Sequence, residues 1–341
     1  SLLDGALKKI TKRPELQQME IKITIRRFLK GYCFLIQATA YENLEFHKRY
    51  NFLSYLIKEL NPGGGGNNFD IADKITVSDF RQKQMEKLYD RADIYDLLEN
   101  DSRYEITKGH WQYLLKGKPV RSLLDVSIGS GNMTLPVLDL GIDLYGSDLS
   151  EAMLSRCDKK ATAKGYSVHL QCSDFREVSK HFTRQFDCVA STGNSLAYVT
   201  NEEVITALHQ MDALVAPGGY LYFDLRNWDK ICGTKQRFYT YNPSFHGNTR
   251  VNLVQVWDHN SDGTIDFNLL FTFEKENRIF QKEHFIEHYN PVSQRPLLEE
   301  LRAMGYTDAE IRLVPAQWGA YTDEDDWYCV MARKPKEREA L

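Results

Sequence analysis

The sequence Leu123-Leu-Asp-Val-Ser-Ile-Gly-Ser-Gly131 decides the fold of this chain. It joins an apolar run, typical of a buried strand, to two closely spaced glycines, and a helix-like pattern follows near residues 133–140. Glycines at these two positions let a ligand approach the backbone where a side chain would block it. The stretch therefore predicts a strand–turn–helix unit that binds a nucleotide-like ligand at its turn.

Acidic residues occupy matching places after the next predicted strands. Asp148 comes 19 residues after Gly129, which puts a carboxylate beside the turn, where it can accept both hydrogen bonds of a ribose diol. Asp174, next to Phe175, follows the third predicted strand, where a carboxylate can bind an adenine amino group. Asp148, Asp174, Phe175 and Thr192, which follows the fourth strand, are therefore candidate cofactor-binding residues.

The details of the turn separate two classes of nucleotide ligand. A dinucleotide fingerprint has a third glycine, which here would fall at position 134, and Thr134 stands there instead. Asp125 lies at the start of the turn, where it suits a cationic or amine-bearing ligand better than a pyrophosphate. The turn therefore favours a cationic nucleotide-like ligand over a dinucleotide.

Hydrophobic periodicity predicts an α/β domain with a different C-terminal part. Short apolar runs alternate with amphipathic helices from residue 121 to about 225, which is typical of a parallel sheet covered by helices on both faces. The predicted strands are 123–128, 144–146, 168–171, 186–191 and 220–225, and the predicted helices are 133–140, 151–164 and 202–215. Longer, aromatic-rich strands at 250–258, 265–276 and 279–289 indicate an antiparallel sheet, followed by a helix at 296–304 and a strand at 327–333.

These motifs resemble class I S-adenosylmethionine-dependent methyltransferases over residues 85–335. The segment Asp125–Gly131 is similar to their cofactor loop, Asp148 to their ribose-binding acid and Asp174 to their adenine contact. Ser127 departs from the pattern, since glycine is commonest there. The resemblance implies S-adenosylmethionine as cofactor and a Rossmann-like, doubly wound, mostly parallel sheet, to which the predicted antiparallel C-terminal sheet is added.

A narrower resemblance points to the acceptor. Gly193–Tyr198 and Asp224–Ile231 are similar to segments of glycine and sarcosine N-methyltransferases. The resemblance implies that Asn194 and Arg226 contact an amino-acid acceptor as catalytic-site residues, and that Arg103 contacts the methionyl carboxylate of the cofactor. A guanidinium suits a carboxylate because it binds bidentately, and a nearby amide oxygen can orient the amine.

Each of these three residues also has a plain structural explanation. Arg226 could form an ion pair with Asp224 or Asp229, Asn194 could cap a helix, and Arg103 could be a solvated helix residue. The choice between the two readings depends on what surrounds each side chain.

The predicted reaction is direct displacement of the activated methyl group by the amine of a small molecule, with a glycine-like amino acid as one candidate acceptor. Such a reaction needs alignment and a neutral amine, and no metal. His284 and His288 lie four residues apart, but on a predicted strand they share a face without metal geometry. We therefore predict no metal site.

The first sixty residues predict a separate helical unit. Apolar residues recur at helix-like intervals through 25–36 and 52–60, and Asn61-Pro62 with Gly63 to Gly66 then end the helix. We predict an all-helical appendage over residues 1–84 and a methyltransferase domain over 85–341.

The appendage has a resemblance of its own. Segments 27–37, 52–60 and 69–76 resemble the helical region near the C-terminus of type I restriction enzyme R subunits. That resemblance implies a natural or engineered fusion. The alternative is an ordinary helical extension that packs on the core or mediates contact with a protein partner or a second copy.

Charge, cysteine pattern and the length of the apolar runs indicate where the protein is located. The 341 residues carry a net charge of −4, yet residues 1–60 hold 11 Lys and Arg against 6 Asp and Glu, while the rest is acidic. Six scattered cysteines without a CxxC pair indicate reduced thiols. No stretch approaches 18 consecutive apolar residues and no export pattern opens the sequence, so we expect a cytoplasmic protein that does not contact a membrane.

Two rival functions stay open at this point. The restriction-enzyme resemblance suggests DNA methylation, but the Asp/Asn-Pro-Pro-aromatic motif of amino-methylating DNA enzymes is replaced here by Ser191–Ser195 without prolines. The acidic body also lacks the basic footprint that phosphates require. The other rival is a non-catalytic module that binds the cofactor or a protein partner, although the acids of the cofactor loop are present.

Overall fold

The computed structural model describes the backbone of residues 21–28 and 31–38, residues 88, 91, 94 and 96–98, and residues 101–336. The chain divides into two compact units, Ser1–Met85 and Glu86–Leu341.

The described part of the first unit is a β-hairpin. Strands β1 (Ile21–Phe28) and β2 (Gly31–Ala38) pair antiparallel, with Phe28 opposite Gly31. The prediction of an all-helical appendage is therefore wrong for this stretch. Ile21, Ile23 and Ile25 alternate with polar residues, and this period of two, with β-branched side chains, favours a strand. Segments 52–60 and 69–76 and the glycine run lie outside the described residues.

The second unit is built on a seven-stranded sheet. Its strands are β3 (Ser122–Asp125), β4 (Asp143–Asp148), β5 (His169–Cys172), β6 (Phe186–Ser191), β7 (Val215–Arg226), β13 (Thr307–Leu313) and β14 (Trp327–Arg333). They lie in the order β13-β14-β7-β6-β3-β4-β5. The five strands from β7 to β5 are parallel, and β14 and β13 are antiparallel to their neighbours. The predicted mostly parallel, doubly wound sheet is confirmed.

Apolar side chains cover both faces of this sheet. Successive residues of β3, Leu123 and Leu124, belong to two different buried clusters, as the strand period of two requires. The α-helices are α1 (Asp101–Leu115), α2 (Glu151–Ala163), α3 (Asn201–Leu214), α4 (Trp228–Thr234) and α5 (Gln294–Ala303). The segment predicted as a helix near 133–140 is a 3₁₀ helix, Leu135–Leu140.

A second, antiparallel sheet follows, as the sequence predicted. It contains β8 (Phe238–Thr240), β9 (Ser244–His246), β10 (Thr249–His259), β11 (Ile265–Lys275) and β12 (Arg278–Tyr289). The strands lie in the order β12-β11-β10-β8, with β9 also paired to β10. Alternate residues such as Leu253, Trp257 and Phe267 are buried in the cluster that also covers one face of the central sheet. The inner, aromatic face of this sheet therefore packs beside the ends of the parallel strands.

Candidate cofactor and acceptor site

The predicted site residues converge on one edge of the central sheet. Asp125, Asp148 and Arg226 are the last residues of β3, β4 and β7. The chain order reverses between β3 and β6, because β3 continues to β4 on one side and pairs with β6 on the other. Ligands of open α/β sheets bind outside the carboxyl ends of the strands at such a reversal.

Asp125 holds the loop that follows β3. Its side chain is fully buried, and its Oδ1 accepts a hydrogen bond from the Ser127 N–H at 3.0 Å. Its Oδ2 accepts from the hydroxyls of Thr192 at 2.7 Å and Thr134 at 3.0 Å. Burial raises the pKa of Asp125 to about 6. Asp125 and Thr192 thus fasten the loop to the end of β6, and their predicted contacts with the cofactor stay predictions.

The two glycines of the loop serve different purposes. Gly129 has φ +53°, and a Cβ atom built on it would meet no heavy atom within 4 Å. Gly131 has φ +83°, and its Cβ would lie 2.6 Å from Leu135 Cγ and 2.8 Å from Cys157 Sγ. Gly129 therefore leaves open space beside the backbone, whereas Gly131 is required by packing inside the protein.

Alanine substitutions should separate these two purposes. Gly131→Ala combines a strained left-handed backbone with overpacking, and we expect it to lower the free energy of unfolding by about 2–5 kcal/mol. Gly129→Ala carries only the backbone cost, about 1–2 kcal/mol, and we expect it to weaken cofactor binding. Urea unfolding and calorimetry measure the two effects, and equal destabilisation by both variants would contradict this assignment.

Asp148 closes the turn from the neighbouring strand. Its Oδ2 accepts a hydrogen bond from the Gly129 N–H at 2.9 Å and its Oδ1 accepts one from the Ser150 N–H at 2.9 Å. Burial raises its pKa above the usual value. Each carboxylate oxygen can accept a further hydrogen bond, so the group can still receive two hydroxyl donors at the open side of Gly129.

Asp174 lies two residues after β5, and its carboxylate already has partners within the protein. Its carboxylate caps the 3₁₀ helix Phe175–Lys180 and pairs with Arg176 at 2.5 Å. Burial acts to raise the pKa of Asp174, but hydrogen bonds and charge from Arg176 outweigh it and lower the pKa. Phe175 is buried in the core. The adenine contact of this pair stays a prediction.

Arg103 lies exposed on the first turns of α1. This helix is tied to the end of the cofactor loop by Trp111, whose Nε1 donates to the Met133 carbonyl at 2.6 Å. The contact of Arg103 with the cofactor carboxylate stays a prediction.

Asn194 and Arg226 are neighbours in space. Asn194 adopts a left-handed backbone with φ +67°, and its Oδ1 accepts from the Arg226 N–H at 3.1 Å and from Trp228 Nε1 at 2.9 Å. Both partners are donors, which fixes the orientation of the amide. The expectation that this amide oxygen orients the amine is therefore wrong, because the oxygen is occupied and the buried Nδ2 is the atom without a partner.

Helix capping does not explain Asn194. The residue precedes the 3₁₀ helix Ser195–Tyr198, but its side chain makes no capping hydrogen bond there.

The guanidinium of Arg226 lies in an aromatic pocket. Its Cζ is 4.7–5.3 Å from the centroids of four rings, those of Tyr239, Trp257, Phe267 and Trp327. Nη2 donates to Tyr241 Oη at 2.9 Å and to Gln255 Oε1 at 3.3 Å, and buried Nη1 has no partner. Within the described part of the chain, no carboxylate forms an ion pair with Arg226, so pairing with Asp224 or Asp229 does not explain it.

A buried hydrogen-bond chain beside Asn194 was not anticipated. His110 Nδ1 accepts from the Ala316 N–H at 2.9 Å, so its proton lies on Nε2, which is 3.0 Å from Tyr222 Oη. Tyr222 in turn donates to Asp224 Oδ2 at 3.1 Å, and Asp224 Oδ1 accepts from the Gly193 N–H at 2.9 Å. Tyr222, Asp224 and Arg226 alternate along β7, and this period of two could have indicated a shared polar face.

The buried carboxyl in this chain of hydrogen bonds makes the stability of the protein depend on pH. Burial raises the pKa of Asp224 to about 7 and lowers that of His110 to about 3. A carboxyl whose pKa is higher in the folded state binds more protons there, so its contribution to stability is lost as pH rises towards the folded pKa. We expect the free energy of unfolding, followed by urea titration, to fall between pH 5 and pH 8.

An asparagine variant isolates this contribution. Asp224→Asn removes the ionisable group, and we expect the difference in unfolding free energy between wild type and this variant to change by roughly 3 kcal/mol between pH 5 and pH 8. Buried Asp125, with a pKa raised to about 6, also makes the free energy of unfolding depend on pH, but less strongly and equally in both proteins. Asp158→Asn, on the exposed face of α2, is the control, and a pH-independent difference for Asp224→Asn would contradict the assignment.

The histidines of β12 have polar partners of their own. His284 Nε2 lies 3.0 Å from Asn268 Oδ1, and His288 Nδ1 lies 2.7 Å from Asp266 Oδ1. No group of three or more His, Cys, Asp or Glu side chains that could hold a metal ion occurs among the described residues. In the same part of the chain, no helix is both long and apolar enough to span a membrane.

Comparison with known proteins agrees with this geometry. Residues 123–219 match the family model described as a methyltransferase domain, and these residues contain the cofactor loop, Asp148 and Asp174. This part of the chain is therefore similar to methyltransferase domains.

The methyltransferase domain has both sequence relatives and structural neighbours. The glycine/sarcosine N-methyltransferase of Parasynechococcus marenigrum is 29% identical over 153 residues, which cover 45% of this chain and 54% of the relative. The chain thus spans about half the length of that relative.

Two solved structures share the fold. An S-adenosylmethionine-dependent methyltransferase from Clostridium acetobutylicum has a TM-score of 0.59 at 15% identity, covering 72% of this chain and 97% of the other. An S-adenosylmethionine-bound amino pentose methyltransferase from Micromonospora echinaspora has a TM-score of 0.54 at 16% identity, covering 73% and 97%.

Proposed function

We propose that this protein transfers a methyl group from S-adenosylmethionine to the amine of a small molecule that also carries a carboxylate. The observation that carries the proposal is Arg226, a buried guanidinium with which no described carboxylate forms an ion pair. A buried charge without a partner is costly, and a carboxylate ligand would remove that cost. The glycine/sarcosine N-methyltransferases that this chain resembles act on molecules of this class.

The polar atoms around Arg226 suit a carboxylate. Arg226 Nη1 and Asn194 Nδ2 are both buried donors without partners, and hydrogen bonds to an ionised acceptor are stronger than neutral ones. The aromatic rings around the guanidinium exclude water, which strengthens these interactions further. These two donors, from residues that are neighbours in space, can therefore hold the carboxylate end of the acceptor.

The residues of the cofactor loop fit S-adenosylmethionine. The open space beside Gly129 admits a ligand against the backbone, and the Asp148 carboxylate retains acceptor capacity for a ribose diol. When bound, the cofactor supplies an electrophilic methyl group on a sulfonium, so no covalent enzyme intermediate is needed.

The protein itself aligns the acceptor amine with the methyl group of the cofactor. Asp148 and the Gly129 backbone lie at the ends of β4 and β3, while Asn194 and Arg226 follow β6 and end β7. These strands are adjacent in the sheet, so they can hold the two substrates next to each other. Orientation of this kind supplies much of the barrier reduction in bimolecular transfers. The amine must reach the reaction neutral, because only the free lone pair can attack the methyl group.

A transfer assay with a labelled cofactor methyl group tests the proposal. We expect incorporation into glycine or sarcosine, and at least tenfold less into methylamine and dimethylamine, which lack the carboxylate that Arg226 would bind. Duplex DNA serves as a further acceptor in the same assay. Methyl incorporation into DNA alone would overturn the proposal, and so would equal rates for amines with and without a carboxylate.

A further inference from the structure

One acidic side chain lies on the inner, aromatic face of the antiparallel sheet. Glu287 is only 6% exposed, and it stands between the inward residues Phe285 and Tyr289 on β12. Its outward neighbours Ile286 and His288 are exposed. The strand period of two therefore places this carboxylate on the face that packs beside the acceptor site.

Strand register brings Glu287 and Arg226 to the same row of rings. Glu287 is paired with Phe267, and Phe267 is paired with Trp257 on the next strand. The guanidinium of Arg226 lies 5.3 Å from the Phe267 ring and 5.2 Å from the Trp257 ring. Because paired residues of adjacent strands lie about 5 Å apart, the two charged groups flank Phe267.

Tyr289 is influenced by both charges. Its ring lies 4.7 Å from that of Phe267, and its hydroxyl is hydrogen-bonded to Tyr198 at 2.7 Å. Burial raises the pKa of Tyr289, Glu287 raises it further, and the Tyr198 hydrogen bond and Arg226 act in the opposite direction. A negative and a positive group therefore act within one aromatic pocket.

We propose that Glu287 binds the amine end of the acceptor while Arg226 and Asn194 bind its carboxylate end. This inference rests on the proposed function and adds to it a residue that recognises the amine of an amino-acid acceptor. The two unpartnered atoms of Asn194 and Arg226 are donors and can bind only the carboxylate, so an amine N–H requires an acceptor from elsewhere. Glu287 supplies that acceptor, and the surrounding rings favour a cationic group by cation–π attraction.

Two isosteric ligands test the amine contact. Sarcosine and methoxyacetate share their carboxylate and nearly share their shape, but an ether oxygen replaces the amine in the second. Binding of each is measured by calorimetry to the full chain saturated with S-adenosylhomocysteine, which prevents turnover. For Glu287→Gln we expect about 10- to 100-fold weaker binding of sarcosine, with unchanged or tighter binding of methoxyacetate.

A matched variant controls for changes in the sheet. Glu283→Gln makes the same change on β12, opposite Phe271 and away from Phe267, and we expect it to bind both ligands as the wild type does. In the transfer assay, Glu287→Gln should raise the KM for sarcosine more than it lowers kcat. A purely structural role for Glu287 would instead weaken both ligands equally.

The outcomes distinguish this inference from the function on which it rests. If the wild type methylates sarcosine but Glu287→Gln changes neither ligand, or changes both equally, the assignment of Glu287 is overturned and the proposed function survives. If the wild type methylates only amines without a carboxylate, both proposals fall. If it methylates no amine at all, both proposals fall.

Discussion

Arg226→Met is expected to abolish acceptor methylation while leaving the protein at least as stable as before. Removal of the guanidinium takes away the charged partner of the acceptor carboxylate, an interaction of about 3 kcal/mol or more, so kcat/KM should fall by at least about 100-fold. Methionine has a comparable volume and an apolar side chain, and it can pack against the rings around Arg226.

The stability part of this prediction follows from the surroundings of Arg226. Replacing buried charge by well-packed apolar groups is often neutral or stabilising. The partners left behind are not stranded, because Gln255 also accepts from Trp257 Nε1 at 3.0 Å and Tyr241 is only partly buried. We therefore expect an equal or higher thermal unfolding midpoint together with lost activity.

Two further arginine variants complete this experiment. Arg226→Lys keeps the charge but loses the forked donor geometry, and we expect intermediate activity. Arg237→Met, at a solvent-exposed ion pair with Asp258, should behave as the wild type does. Cofactor affinity, measured by calorimetry, should stay within about threefold in every variant, since Arg226 is assigned to the acceptor. A large loss of stability in Arg226→Met with retained activity would show that the residue is structural.

Local sequence patterns predicted the parts of this protein that depend on local geometry. Gly129 and Asp148 belong to consecutive strand–turn units, so a fixed spacing along the chain translates into the 2.9 Å hydrogen bond that joins them. The alternation of strands and helices likewise predicted the parallel sheet. The strands β1 and β2 were not predicted, because the apolar residues at 25–36 also fit the spacing of a helix.

Contacts between distant elements account for what the sequence could not predict. The amide oxygen of Asn194 is occupied by Trp228, which lies 34 residues away. The burial of Glu287 depends on its register with Phe267 across two strands. His110 reaches the site only because α1 packs next to Ala316. Periodicity indicates that a face is buried, but only strand pairing decides which polar side chains share it.

The second large effect is expected at Asp148. Asp148→Ala removes the carboxylate assigned to the ribose hydroxyls and also the acceptor that holds the Gly129 N–H. Two hydrogen bonds to a charged group, each about 1.5–3 kcal/mol, correspond to a loss of cofactor affinity of at least about 100-fold. Calorimetric titration with S-adenosylmethionine measures this loss directly.

Substitutions at the same position and on the neighbouring helix make the Asp148 result specific. Asp148→Asn keeps one carbonyl oxygen for the loop but loses the charge and one acceptor, so its affinity should lie between those of Asp148→Ala and the wild type. Asp158→Ala removes an exposed carboxylate on α2 and should leave affinity unchanged. Because Asp148 holds a backbone turn, each variant is first compared with the wild type by thermal unfolding. Unchanged cofactor binding in a folded Asp148→Ala protein would refute the assignment of this carboxylate to the ribose.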